Sequence, residues 1–447
     1  MSRSVVLDAR TPAAVLLSLL LLLGALVVSA PPVAADSRHT EPVRFATFNA
    51  SLNRNFEGQA LADLSAPFNP AEADTALRTR RAQAANVAEI IQRVRPEILL
   101  INEFDYIDGP LDGNALTDAF QANYLGISQS GQAPIHYDYV FVAPSNTGIH
   151  SGFDLNNNGA VVSTPLAAGY GDDALGFGEF PGKFGMAVFS QHPIRYSQVR
   201  TFQNFKWADM PGALLPTYPA TWPVAELRGL PWYTDAELAV LPLSSKSHWD
   251  IPIRIGNRTV HFLASHPTPP VFDGDEDRNG RRNFDEIRLW ADYIKGAGAA
   301  RYIYDDDGKH GGLKAGESFV IAGDQNSDPL DGDSRPGAIQ QLINSPLVNT
   351  SNTPESLGAI EATALQGGAN LSHRSDPRFD TADFADSAPG NLRADYVLPS
   401  SDLQIVRSAV FWPLQAETEL FRLTGVFPFP SSDHRLVWVE VVVSDDD

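Results

Sequence analysis

Along this chain, apolar runs with the length and alternation of buried strands repeatedly give out onto small polar clusters. Val43-Arg44-Phe45-Ala46-Thr47-Phe48 closes on Asn49, and Ile98-Leu99-Leu100-Ile101 closes on Asn102-Glu103. Val260 to Ser265 closes on His266-Pro267, and Phe319 to Ala322 closes on Gly323-Asp324-Gln325-Asn326. Near the C-terminus, Asp395 opens the run Tyr396 to Leu398, and Asp433-His434 precedes Leu436 to Val443. Further strands are predicted over Tyr137 to Val142, Gly185 to Ser190 and Ile251 to Ile255. Between the first two strands, Val87, Ile90, Ile91 and Val94 fall at helical spacing over Arg81 to Arg95, with Pro96 as the stop. A second helix is predicted over Phe284 to Ile294. Strand, helix, strand is the signature of an α/β fold.

Long polar or Pro/Gly/aromatic-rich stretches at 106–134, 144–182, 201–247, 268–316 and 346–392 separate the clusters and read as walls and lids around one site. No composition break marks a second domain within 36–447, and no repeat of 20 to 50 residues is present. The first 35 residues read as an export signal, with Arg3 and Arg10 around a charged start, an apolar run from Ala13 to Ala30, and Val33-Ala34-Ala35 as a cleavage site. An uncleaved anchor is the alternative. Secretion or a periplasmic location is therefore expected, with no membrane span after cleavage.

Composition narrows the chemistry. Hydrophobic residues make up 43% of 447, enough for a large core. A formal charge of −21 excludes a generally basic, non-specific nucleic-acid binder but leaves nucleic acid open as a substrate reached through a local cationic cleft or a metal. With no cysteine there is neither a disulfide nor a thiolate metal site. A catalytic metal must then use oxygen and imidazole ligands, which suits magnesium, manganese or calcium.

Carboxylates at strand ends are costly unless a cation or hydrogen-bond donors compensate them. Glu103 directly follows four aliphatic residues. In Gly323-Asp324-Gln325-Asn326, the carboxylate and the second amide fall at i and i+2 and share a side, where they can hold a water and a phosphoryl oxygen. Asp433 and His434 are adjacent and diverge, so one can face a metal and the other a reacting group. A histidine there is suited to base or cationic roles near neutral pH.

The ordered series Phe48-Asn49, Asn102-Glu103, Ser265-His266, Gly323-Asp324-Gln325-Asn326, Asp395-Tyr396-Val397-Leu398 and Ser432-Asp433-His434 resembles the endonuclease/exonuclease/phosphatase superfamily. Gly185 to Ser190 with His192-Pro193-Ile194 is similar to its central strand and turn. The resemblance spans Val43 to Val443 and implies a four-layer α/β sandwich of two packed mixed sheets flanked by helices. It implies Glu103 as main ligand of Mg2+ or Mn2+, supported by Asn49 and Asp433. It also implies Asp324 to orient or deprotonate water, Asn326 to hold phosphate, and His434, oriented by Asp395, at the scissile phosphate. His266 would protonate the leaving group from the other side. Two departures from the apurinic-endonuclease branch are Ser51 in place of an aspartate and Lys183 in place of a tyrosine, the lysine being a candidate phosphate contact.

Asp275, Asp277, Asn279, Gly280 and Glu286 match the spacing of an EF-hand loop, so structural Ca2+ is one expectation there. The alternatives are a solvated loop at the head of the second helix, or Arg281 and Arg282 reaching substrate phosphate. Asp154, Asn156, Asn158 and Gly159 begin a similar pattern that ends at Pro165. Trp207, Tyr218, Trp222, Trp232 and Tyr233 form an aromatic insert that either packs as core or lines the substrate. The expected activity is an exported metal-dependent phosphoester hydrolase, first a nuclease. A phosphodiesterase or phosphatase for lipid head groups or small esters is the alternative within enzymes, and a non-catalytic calcium-dependent binding protein the alternative outside them. No stable protein partner is implied.

Overall fold

In the computed structural model, residues 42–296 and 298–444 are described, so the export-signal reading of 1–35 lies outside the described residues. Eleven strands run in chain order: β1 (Pro42–Asn49), β2 (Ile98–Asn102), β3 (Tyr139–Phe141), β4 (Met186–Ser190), β5 (Arg200–Thr201), β6 (His248–Ile255), β7 (Arg258–Ser265), β8 (Ser318–Asp324), β9 (Asp395–Pro399), β10 (Gln404–Val410) and β11 (Val437–Val442). They form a six-stranded sheet, β10-β11-β1-β2-β4-β3, and a five-stranded sheet, β5-β6-β7-β8-β9. Among the described strands, only the β1/β2 and β7/β8 pairs are parallel.

The two-residue period of the strands explains the layering. Phe45, Ile98, Leu100, Val439 and Val441 point from the first sheet into a shared interior, where they meet Ile251, Ile253, Phe262, Val320 and Val397 from the second. The alternate residues Ala46, Phe48, Leu99 and Ile101 face outward against the helix Thr75–Val94. That helix presents Val87, Ile90, Ile91 and Val94, starts on the Asp74 carboxylate, which accepts from the amides of Ala76 and Leu77, and ends before Pro96. It begins a turn and a half ahead of the expected start because the polar first turns lie on the solvent side. The opposite outer layer is the helix Arg278–Tyr293, whose Ile287, Trp290 and Ala291 pack on the second sheet. Sheet on sheet, with helices on both outer faces, is the expected four-layer sandwich. Each buried large side chain contributes about 1.5–3 kcal/mol.

Two expectations change. The 201–247 stretch is not a lid: Trp207, Trp232, Leu241 and Leu243 are buried with Trp290 and Tyr293 in the outer core, and Trp207 Nε1 donates to Asp285 Oδ2 at 2.8 Å. The aromatic insert is core at these positions. Strand β10, absent from the sequence reading, is an edge strand with exposed polar positions and only one fully buried residue, so its apolar signal is weak.

Candidate active site

Strand direction gathers the polar clusters. β1, β2, β7 and β8 contribute their C-terminal ends, which carry Asn49, Glu103, His266 and Asp324. β9 and β11 run antiparallel to their neighbours and so contribute their N-terminal ends, which carry Asp395 and His434. Register aligns Asn49 with Asn102 in the first sheet and Asp324 with Asp395 in the second. The site therefore lies at one rim of the sandwich, where the two sheets meet.

Asn102 ties the sheets together. Its Oδ1 accepts from Thr47 Oγ1 at 3.1 Å and from the Asp324 amide at 3.2 Å, while its Nδ2 donates to the Ser265 carbonyl at 3.4 Å. Close approach also explains Gly323. At φ +145°, a Cβ on it would lie 1.9 Å from the Ser265 carbonyl oxygen, so only glycine lets β8 pass β7 there. Beyond β2 and β8 the chain turns through positive φ at Glu103 (57°) and Asn326 (50°), conformations that non-glycine residues hold only under local constraint.

Asp324 is the hub. Asn49 Nδ2 donates to its Oδ2 at 3.0 Å, and the Asn326 amide donates to its Oδ1 at 2.9 Å. His266 Nε2 lies 3.4 Å and His434 Nε2 3.7 Å from Oδ2. His434 Nδ1 faces Asp395 Oδ2 at 2.8 Å. Burial alone would raise the Asp324 carboxyl, but the His434 charge and the hydrogen bonds of His266 and Asn49 outweigh it and hold Asp324 well below the usual range. Burial likewise opposes charge on His434, yet Asp395 and Asp324 keep it protonated well above the ordinary imidazole range. His266 is pushed down to about 4, first by burial and then by the nearby Lys246 cation. One imidazolium and one neutral imidazole thus flank an ionised carboxylate.

On the other side of Asn49, the Glu103 carboxylate accepts from Asn49 Nδ2 at 3.3 Å and from Asn53 Nδ2 at 2.8 Å. Its pKa rises to about 6, chiefly from burial and then from the Asp433 charge. Glu103 and Asp433 are each only partly buried. Partly open carboxylates that repel each other suit a hard divalent cation, while Asn49 turns its amide nitrogen, not its oxygen, toward Glu103. Asp324, Asp395 and His434 also place ligand-type atoms within 4.8 Å of one another. There, however, Nδ1 of His434 is already committed to Asp395, so a hydrogen-bonded chain accounts for the trio.

The remaining expected residues are not brought to this rim as phosphate or calcium groups. Lys183 pairs with Glu179 at 2.6 Å and lies over the Phe184 ring. Arg282 donates to the carbonyls of Leu175, Pro242 and Leu243, and Arg281 Nε donates to the carbonyl of Glu276 at 3.2 Å. The EF-hand expectation is corrected, because the helix begins at Arg278, inside the stretch such a loop would occupy. Asp275 accepts from Thr221, Asp277 pairs with Arg335, and Asn279 Nδ2 donates to the Val271 carbonyl. Glu286 is fully buried and accepts from the amides of Ser245 (2.7 Å) and Thr268 (2.6 Å), which leaves it anchoring the His266 loop instead of a calcium ion. In the 154–159 loop, the Asp154 carboxylate is occupied by the amides of Asn158 and Gly159.

Sequence reasoning missed Asn53, Lys246 and Thr381, and it placed Asn102 in a cluster without giving it a role of its own. Lys246 is buried at 6% exposure, and the charges that act on it are those of Glu286, Asp324 and Glu103, opposed by that of Arg282. Its signal was the polar run Ser244-Ser245-Lys246-Ser247 directly ahead of an apolar strand, the same pattern as the other clusters in reverse order.

A profile of the Endonuclease/Exonuclease/phosphatase family matches residues 46–434. No curated protein sequence matches. Among solved structures, an endonuclease/exonuclease/phosphatase from Beutenbergia cavernae is 17% identical, with 90% of this chain and 72% of that one covered and a TM-score of 0.43. TDP2 from Caenorhabditis elegans is 14% identical, with 90% and 75% covered and a TM-score of 0.37. A beta toxin variant from Staphylococcus aureus with bound magnesium ions is 12% identical, with 90% and 99% covered and a TM-score of 0.39. Since the profile match takes in every strand-end cluster from Asn49 to His434, the chain belongs to the endonuclease/exonuclease/phosphatase family, whose members are metal-dependent phosphoesterases.

Proposed function

We propose that this chain is an exported, divalent-metal-dependent phosphodiesterase, with extracellular nucleic acid as its first substrate class. The observation that carries the reading is the Asp324 carboxylate held between His266 and His434, beside Glu103. A phosphodiester needs an attacking water, neutralisation of the phosphoryl oxygens and a proton for an alkoxide leaving group. The rim has a group for each task.

Asp324 remains ionised and orients a water or takes its proton. His434, cationic and fixed by Asp395, faces the same space and stabilises charge on a phosphoryl oxygen. Asn326 sits two residues beyond Asp324, with its side-chain Nδ2 donating to the Pro267 carbonyl at 3.1 Å. His266 reaches the same Asp324 oxygen as Asn49, with its Nε2 3.4 Å away. An anionic phosphate entering beside it opposes the depression of its pKa and lets it carry the proton for the leaving oxygen. Mg2+ or Mn2+ held by Glu103, Asn49 and Asp433 would supply neutralisation of the phosphoryl charge. Export rests on residues 1–35, and among the described residues no helix is long and apolar enough to cross a membrane.

The test is hydrolysis of duplex DNA, RNA, sphingomyelin and a chromogenic bis-phosphodiester by residues 36–447, with and without Mg2+ or Mn2+. Metal-dependent cleavage of DNA or RNA is expected. Preference for sphingomyelin would move the substrate to lipid head groups, and turnover of none of them would overturn the enzyme reading.

A further inference from the structure

The segment Asp380-Thr381-Ala382-Asp383 reaches across to the two antiparallel arms of the site. Ala382 bridges both Leu392, ahead of β9, and His434, ahead of β11. The Asp383 amide donates to the Asp433 carbonyl, and the Arg435 amide to the Thr381 carbonyl, each at 2.8 Å. Arg435, fully buried, pairs with Asp383 at 2.9 Å. This strap therefore fixes the backbone on both sides of His434.

Thr381 goes further. Its buried hydroxyl accepts from the amides of Ala394 (3.0 Å) and Asp395 (2.9 Å) and lies 2.8 Å from Asp395 Oδ2. A hydroxyl has two lone pairs and one proton. With both lone pairs engaged by amides, the proton is committed to Oδ2 of Asp395. That oxygen also accepts from His434 Nδ1, and an ionised carboxylate can only accept. The carboxylate is thereby locked by one donor while it aims the other, which leaves Nε2 of His434 directed at Asp324.

We propose that Thr381 is a positioning residue: its hydroxyl fixes the Asp395 carboxylate and, through it, the ring orientation of His434. The kinetic part of this proposal rests on the phosphodiesterase reading, whereas the geometric part does not. Groups that orient a working side chain from behind typically change activity by about 10- to 100-fold when removed.

Thr381→Val deletes the hydroxyl at nearly constant shape, and Thr381→Ser keeps it. On a chromogenic bis-phosphodiester with Mg2+, kcat of Thr381→Val is expected to fall about 10- to 100-fold, with KM within about twofold. Thr381→Ser should recover most of the loss. Thr381→Val added to Asp395→Asn should cost little more than Asp395→Asn alone, because both act through one ring. Wild-type kcat in Thr381→Val, equal loss in both threonine variants, or additive losses would overturn the proposal. In parallel, nitrogen-15 NMR of the histidine rings follows His434, assigned by a His434→Gln variant. Its Nδ1–H signal should shift or vanish in Thr381→Val and persist in Thr381→Ser, and an unchanged signal in Thr381→Val would overturn the proposal. If the wild-type protein hydrolyses no ester, the phosphodiesterase reading falls and the NMR result alone decides the role of Thr381.

Discussion

Lys246 and Asp380 are ionisable groups that the interior keeps at a cost, and each makes a prediction. Lys246 is an ammonium buried beside His266 and within the field of Asp324 and Glu103, and burial lowers its pKa. An anionic phosphate at the rim would compensate that charge. Lys246→Met keeps the stem and removes the charge, so kcat/KM is expected to fall on the order of 100-fold. The urea midpoint should be equal or higher, because a buried cation is lost. Steady-state kinetics and an unfolding curve on the same sample check both halves. Asp380 is 1% exposed, and its pKa is pushed up to about 8 by burial and then by the negative charges of Asp328, Asp331 and Asp376. Its folded pKa lies above the unfolded value of about 3.9. The folded state therefore holds the extra proton, and the contribution of this group is lost as pH rises from about 4 to about 8. Asp380→Asn should leave stability near pH 4 little changed and raise it at pH 9 by on the order of 1–3 kcal/mol. Urea midpoints at the two pH values check it.

At the scale of elements, strand ends were legible and their supports were not. The order of Asn49, Glu103, His266, Asp324, Asp395 and His434 along apolar runs marks the rim, because each lies at a strand end or within three residues of one. Asn53 and Thr381 lie in loops whose only local signal is polarity, and they meet Glu103 and Asp395 through pairings 50 and 14 residues apart in the chain. Arg282 shows the opposite failure. Its sequence position beside a histidine loop suited phosphate, yet the helix Arg278–Tyr293 turns it onto three carbonyls. The same helix anchors the rim, since Trp290 Nε1 donates to Ser265 Oγ at 3.0 Å, next to His266. On the other face, the helix Thr75–Val94 depends on its cap. Asp74→Ala leaves the amides of Ala76 and Leu77 without that carboxylate and should cost about 1 kcal/mol, read as a lowered urea midpoint with unchanged activity.

For the whole molecule, the relevant geometry is a site shared between two sheets. Glu103 and Asn49 come from the first sheet, and Asp324 and His266 from the second, with Asn49 donating to both carboxylates. Sliding one sheet over the other would separate the proposed metal-binding side from the proposed water-orienting side, so under this proposal core packing between the sheets also sets the geometry of the reaction. The four-layer form was legible because both outer helices and most strands carry clear periodicity. The aromatic insert was ambiguous because burial against the helix Arg278–Tyr293 cannot be read from local pattern. The central claim is that Glu103 holds a divalent cation required for phosphodiester cleavage. Its most direct test is hydrolysis of a chromogenic bis-phosphodiester by wild-type and Glu103→Gln protein across a Mg2+ titration, with magnesium binding followed calorimetrically in the same buffer. Wild-type activity should saturate with Mg2+ and vanish with chelator, while Glu103→Gln should lose at least about 1,000-fold in kcat together with the binding heat. Wild-type rates in Glu103→Gln, or turnover unaffected by chelator, would contradict the account.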